Sequence, residues 1–374
     1  MRASLVHANR DLLHQIEVVQ SAIGGTPTVR ELTAFAGHVS QVCAQLRADV
    51  LRTLKDLEFD LPDTLPDILD QTQRTTQLFD LINARFAAPI IRHRPEDRLA
   101  LLVLRWLHDS HAATVSLPFG ISDGVFAVYP TDRVPPIYLL PVSRRLTLLY
   151  LPLLFHEFGH LLYVCRKREM DDLVADFQRR VGDVLAPATV RQRGAGSSDD
   201  SFRQRVMTVW YNWVQEFFCD AVGLAIGGES FLKSFSHYFH LRSTEEYYVP
   251  QKDQLMRRHP VTRLRARLLI DKGEQAGLHS VTEQIQQSWN DAAGLMNIRE
   301  DYEGTWLEEL FVPLRRTLDD MLEEAHPETS ASQNTVAKFN PVSLTSEAWR
   351  RFEQDPGSYG PWERQAIEEC LRTA

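Results

Sequence analysis

His156, Glu157 and His160 are the residues of this chain whose types and spacing best suit them to chemistry. They form H-E-F-G-H inside an apolar run, Leu146 to Val164, that predicts a buried helix. Residues four apart lie one turn apart on the same helix face. Both imidazoles can therefore reach one Zn²⁺, with Glu157 beside the ion's open position. A catalytic zinc takes three protein ligands and leaves a place for water, so a third donor must come from elsewhere. Glu216 and Asp220 stand at i and i+4 in a second predicted helix, Trp210 to Ala225, on a face shared with Trp213, Phe217, Ala221 and Leu224. Carboxylates on a buried face are costly without a compensating cation. A metal compensates Glu216, and the free ring N–H of a metal-bound histidine compensates Asp220. Two readings compete: a helix with two satisfied core histidines and a surface glutamate, or a closed structural site drawing in Cys219. Cys165 and Cys219 otherwise read as small buried hydrophobes.

H-E-F-G-H followed by E-F-F-C-D resembles the gluzincin metallopeptidases, which pair H-E-x-x-H with a downstream E-x-x-x-D. The 60-residue step from His156 to Glu216 resembles the HtpX-like branch more than the thermolysin branch. The resemblance implies a zincin-like catalytic core in which His156, His160 and Glu216 ligate Zn²⁺. It makes Glu157 the general base and Asp220 the orienter of His156. His259-Pro260, with Arg263 and Arg265 after it, resembles that group's H-P-x-x-x-R segment and implies that His259 donates a hydrogen bond to the oxyanion or to the substrate backbone. Tyr247 and Tyr248 are lesser candidates for the same part. The likeness covers roughly residues 135 to 270. HtpX-like peptidases are usually membrane-embedded, and this chain departs from them there. Two His and one Glu at a bilayer centre are expensive, so the apolar run reads as a central helix buried on all sides, and no membrane span is expected. Pro152 implies a kink or a start at that point.

These residues need elements to hold them. Leu5, Leu12, Leu13, Ile16, Val19 and Ile23 recur at helical spacing up to Gly24-Gly25, and Thr28 caps a second predicted helix running through Val50. Two more helices are predicted, Thr64 to Phe86 and Pro95 to Ala113, giving an N-terminal bundle over 1–114. Between Leu117 and Pro141 the pattern turns to strands, Gly124–Tyr129 and Pro136–Leu140. The resemblance makes this small sheet part of the metallopeptidase core, 115–298, with an edge strand that holds an extended peptide. Helices follow over 299–374. The expected class is mainly α with a small sheet (α+β). Polar stretches at 186–201 and 326–342 read as surface loops, the first also as a lid. Arg257 to Arg267 reads as an amphipathic helix with a solvated basic face.

The chain has 374 residues, a net charge of −9 with both signs dispersed, and 4 scattered cysteines. Dispersed charge argues against nucleic-acid binding. The cysteines favour a reducing compartment, and the N-terminus lacks a signal peptide's apolar core, so a cytoplasmic protein is expected. The preference for arginine over lysine fits a GC-rich bacterial gene. The functional expectation is a zinc-dependent endopeptidase acting on a specific intracellular protein or peptide, with the N-terminal helices free to engage a regulatory partner. The alternatives are a catalytically silent zinc-binding scaffold and a peptidase autoinhibited until triggered.

Overall fold

A computed structural model describes residues 1–59, 62–129, 135–191, 198–298, 302, 305–327 and 339–373, by backbone alone at 62, 186–191 and 198–200. Of the two expected polar loops, 192–197 and 328–338 lie outside these residues. The fold is mainly α with one three-stranded sheet. It divides into two compact units, 1–105 with 116–145 and 106–115 with 146–374.

The first unit is built on α1 (Arg2–Gly25), α2 (Thr33–Asp56) and α3 (Leu65–Leu81), which continues as a π turn to Phe86. The short α4 (Ala88–Ile91) and the first part of α5 (Arg98–Ser110) complete its helices. The apolar stripe of α1 meets that of α2, burying Leu12, Ile16, Val19 and Ile23 against Phe35, Val39, Cys43 and Leu46. Thr28 caps nothing: α2 starts five residues later, after a 3₁₀ turn over Arg30–Leu32 that satisfies the Leu32 N–H on the Val29 carbonyl.

The strands are β1 (Gly120–Asp123), β2 (Ala127–Tyr129) and β3 (Ile137–Leu140), in the order β1-β3-β2, with β1 parallel and β2 antiparallel to β3. Gly124–Phe126, expected in a strand, forms a bend instead. Expected inside a core of residues 115–298, the sheet belongs to the N-terminal unit. The reason is packing, since Ile137 joins the α1–α2 core and the Phe35 ring lies over Gly120 so closely that a Cβ there would be 2.8 Å away. Arg145, itself buried, ties Asp97 and Asp123 together in the same unit.

The second unit holds α6 (Leu153–Cys165), α7 (Lys167–Arg191), α8 (Ser198–Gly227), α9 (Glu229–Phe239), the single turn α10 (Gln251–Gln254), α11 (Thr262–Gln275), α12 (His279–Leu295), α13 (Phe311–Ala325), α14 (Pro341–Gln354) and α15 (Pro356–Thr373). Pro152 marks a start and not a kink: residues 148–150 form a 3₁₀ turn and α6 begins at Leu153. Leu148–Cys165 is long and apolar enough to cross a membrane, and 83% of it is buried inside the protein. Of the C-terminal helices, α13 packs on α7 and α8 while α14 packs on α9. Trp106, at the end of α5, lies against Phe155 of α6 and so belongs with this unit too.

Candidate metal centre

Helices α6 and α8 pack on each other more extensively than any other pair of helices in the second unit, and a glycine lets them approach. A Cβ on Gly159 would stand 2.8 Å from the Cα of Cys219, closer than side chains tolerate. Farther along α8, Gly227 admits the Phe155 ring in the same way. Glycine inside a helix costs about 1 kcal/mol relative to alanine, and here the cost is offset by backbones that nearly touch.

That approach brings the histidines of α6 to the carboxylates of α8. His156 Nε2 is 3.5 Å from Glu216 Oε2, and His160 Nε2 is 3.6 Å from Glu216 Oε1. The two rings stand perpendicular with centroids 5.1 Å apart. One ligand atom from each of His156, His160 and Glu216 falls within 4.8 Å of the others, so the cluster can hold a metal ion. The Oε2 atom of Glu216 is buried and receives no well-directed hydrogen bond, although His259 Nδ1 approaches to 2.9 Å. His156 Nε2 at 3.5 Å and Arg265 Nη2 at 3.8 Å also converge on this buried oxygen, and the donor set of two imidazoles and a carboxylate fits a metal ion.

Behind the cluster runs a chain of charged contacts. His156 Nδ1 donates to Asp220 Oδ1 at 2.9 Å, which turns Nε2 toward Glu216, where a metal ion would take the place of its proton. Asp220 also accepts from Arg265 Nε and Nη2, both at 2.7 Å, in a bidentate pair. Burial works against charge on His156, but the bonds to Asp220 and Glu216 outweigh it and hold the imidazole up to about 10. His160 moves the other way, pushed down to about 4 chiefly by burial, so it is neutral and able to ligate. Burial opposes ionisation of Glu216 and Asp220 as well. The imidazoles around Glu216, and Arg265 with His156 beside Asp220, prevail and keep both carboxyls below their usual range.

Glu157 differs from its neighbours. It is 6% exposed and makes no hydrogen bond or ion pair with any described residue. Burial pushes its carboxyl up to about 7, with His156 pulling the opposite way and Glu216 adding to the rise.

The remaining sequence candidates fall into place unevenly. His259 lies on the turn before α11 with its side chain 64% exposed, at the wet edge of the cluster. The Tyr247 hydroxyl is already committed to the His240 carbonyl at 2.7 Å, and its ring packs on Trp289, so it is a packing residue. Cys219 is buried against Gly159, with its thiol raised well above its usual range by burial, and it is not among the residues whose ligand atoms converge. Sequence reasoning named Arg265 only within the likeness of the His259-Pro260 segment and gave it no place behind the cluster. The Arg257–Arg267 segment is not a helix with a solvated basic face: α11 begins only at Thr262, and Arg265 is 6% exposed. The signal was present, because Arg265 stands at i−3 and i−4 from the buried Leu268 and Leu269, on the apolar stripe, whereas Arg263 and Arg267 lie off it.

No known family model, curated protein or solved structure matches this chain.

Proposed function

We propose that this protein is a zinc-dependent endopeptidase of the gluzincin type, with His156, His160 and Glu216 as the ligands of Zn²⁺ and Glu157 as general base. The observation that carries the reading is the pairing of a His-His-Glu cluster with an adjacent buried carboxyl, Glu157, that no described group occupies. Tetrahedral zinc with bonds of about 2.1 Å needs ligand atoms about 3.4 Å apart; the two imidazoles stand 3.5 and 3.6 Å from the two separate oxygens of Glu216, and one ligand atom from each residue falls within 4.8 Å of the others.

Bound there, zinc supplies Lewis acidity toward a scissile carbonyl and makes water acidic near neutral pH. The chain's own groups do the rest. Glu157, held near neutrality in its affinity for protons, takes one from the attacking water and returns it to the leaving amine. Asp220 fixes the tautomer of His156, and Arg265 fixes Asp220. His259, at the exposed edge, is positioned to donate to the oxyanion. The substrate class is protein or peptide.

Elemental analysis of protein purified without chelator should find about one zinc per chain, sharply reduced in Glu216→Ala. Glu157→Gln should keep the metal and lose cleavage of a peptide library by at least about a hundredfold. Full cleavage by that variant would remove Glu157 from the mechanism. Zinc retained with no cleavage by the wild-type chain would instead favour a silent metal-binding scaffold.

A further inference from the structure

We propose that Arg258 is a specificity-determining residue that selects substrates carrying a carboxylate beside the scissile bond; this rests on the peptidase reading above. Inside the site, Asp220 is paired with Arg265, which also lies 3.8 Å from Glu216, so these buried charges are already met. The field at the mouth is then set by what surrounds His259, the exposed member of the cluster.

The acids nearest this turn are already engaged. Arg257 is ion-paired with Glu245, and the Thr262 hydroxyl donates to Glu246. These two contacts pin the strap 257–262 on either side of His259, and Pro260 within it is buried. Arg258 is left over: it is exposed, adjacent to His259, and has no ion pair or hydrogen bond among the described residues.

An extended peptide advances about 3.3–3.6 Å per residue. A guanidinium rooted next to His259 would then be within reach of the substrate residues nearest the cleaved bond, and its planar fork matches a carboxylate. Because the strap is pinned, little ordering is needed to present it.

The test uses the full chain with Glu157→Gln, loaded with zinc, and fluorescence anisotropy with C-terminally amidated peptides in which a single Glu or its isostere Gln is walked along a neutral sequence. At the preferred position Glu should bind roughly three- to tenfold more tightly than Gln, with the gap shrinking as NaCl rises. Arg258→Ala should abolish the gap, and Arg258→Glu should turn the preference to Lys. If instead a peptide with a free C-terminus gains the same Arg258-dependent advantage without any Glu, the carboxylate recognised is the chain end. Equal binding of Glu and Gln peptides, no measurable binding of either, or a preference that survives Arg258→Ala overturns the proposal. Cleavage by the wild-type chain is read separately: an Arg258-dependent preference without cleavage leaves the recognition standing and removes the peptidase reading.

Discussion

Asp220 accepts from both Arg265 and His156, and this shared carboxylate lets stability and metal binding be separated. Arg265→Met leaves Asp220 buried with half its partners gone. Breaking a buried pair at one end typically costs about 3–5 kcal/mol, so the urea midpoint of this variant should fall accordingly. Adding Asp220→Leu removes the orphaned charge and should restore much of that stability. It should not restore metal binding, because His156 then lacks the acceptor that holds its ring, a loss of about ten- to a hundredfold in affinity by zinc competition. Recovery of both properties in the double variant would show that Asp220 has no part in orienting His156. Spacing makes readable that Asp220 meets a histidine of the cluster, since both helices carry i, i+4 pairs on apolar faces; that the histidine is His156 came only from the resemblance. Arg265 is harder to see: three arginines at alternate positions read as a surface face, and only the leucine stripe beside them betrays which one points inward.

At the scale of elements, the cluster exists because α6 and α8 nearly touch at Gly159 and Cys219. Gly159→Ala places a methyl 2.8 Å from the Cys219 Cα, and since that atom is backbone, no rotamer change relieves it. The helices must part, at a cost of roughly 1–3 kcal/mol for overpacking. The separations of 3.5 and 3.6 Å between α6 imidazoles and Glu216 must widen with them. The expected result is lost zinc stoichiometry and a lower melting temperature, with no rescue by Cys219→Ala. A Gly159→Ala protein that binds zinc like the wild type would mean that the helices tolerate the shift and that the glycine is incidental. Helical periodicity is strong enough to reveal α1, α2 and α6 from apolar spacing alone. β1 escapes it because a four-residue strand opening on Gly120 has no alternation to read, and its place is set by the distant Phe35 and Ile137.

For the whole molecule, what matters is which pieces share a core with the metal centre. The final helices do. Trp349 of α14 is buried and donates from Nε1 to Ser234 Oγ on α9, which itself donates to the Leu149 carbonyl in the turn leading into α6. Glu363 of α15 accepts from the Leu148 N–H of the same turn and from the Tyr359 hydroxyl. The entry to the H-E-x-x-H helix is thus held by residues about 200 positions downstream, a dependence that local sequence patterns cannot display because nothing near Leu148 announces it. Trp349→Ala removes both the indole and the partner of Ser234. A buried tryptophan truncation costs about 3–5 kcal/mol, and the loosened turn should carry part of that loss to His156. The variant should therefore melt at a lower temperature and bind zinc more weakly, while Trp349→Phe, which keeps the ring and drops only the N–H donor, should recover most of the stability. If Trp349→Ala destabilises the chain but leaves zinc affinity untouched at a temperature where it remains folded, the C-terminal helices brace the unit without setting the geometry of the metal centre.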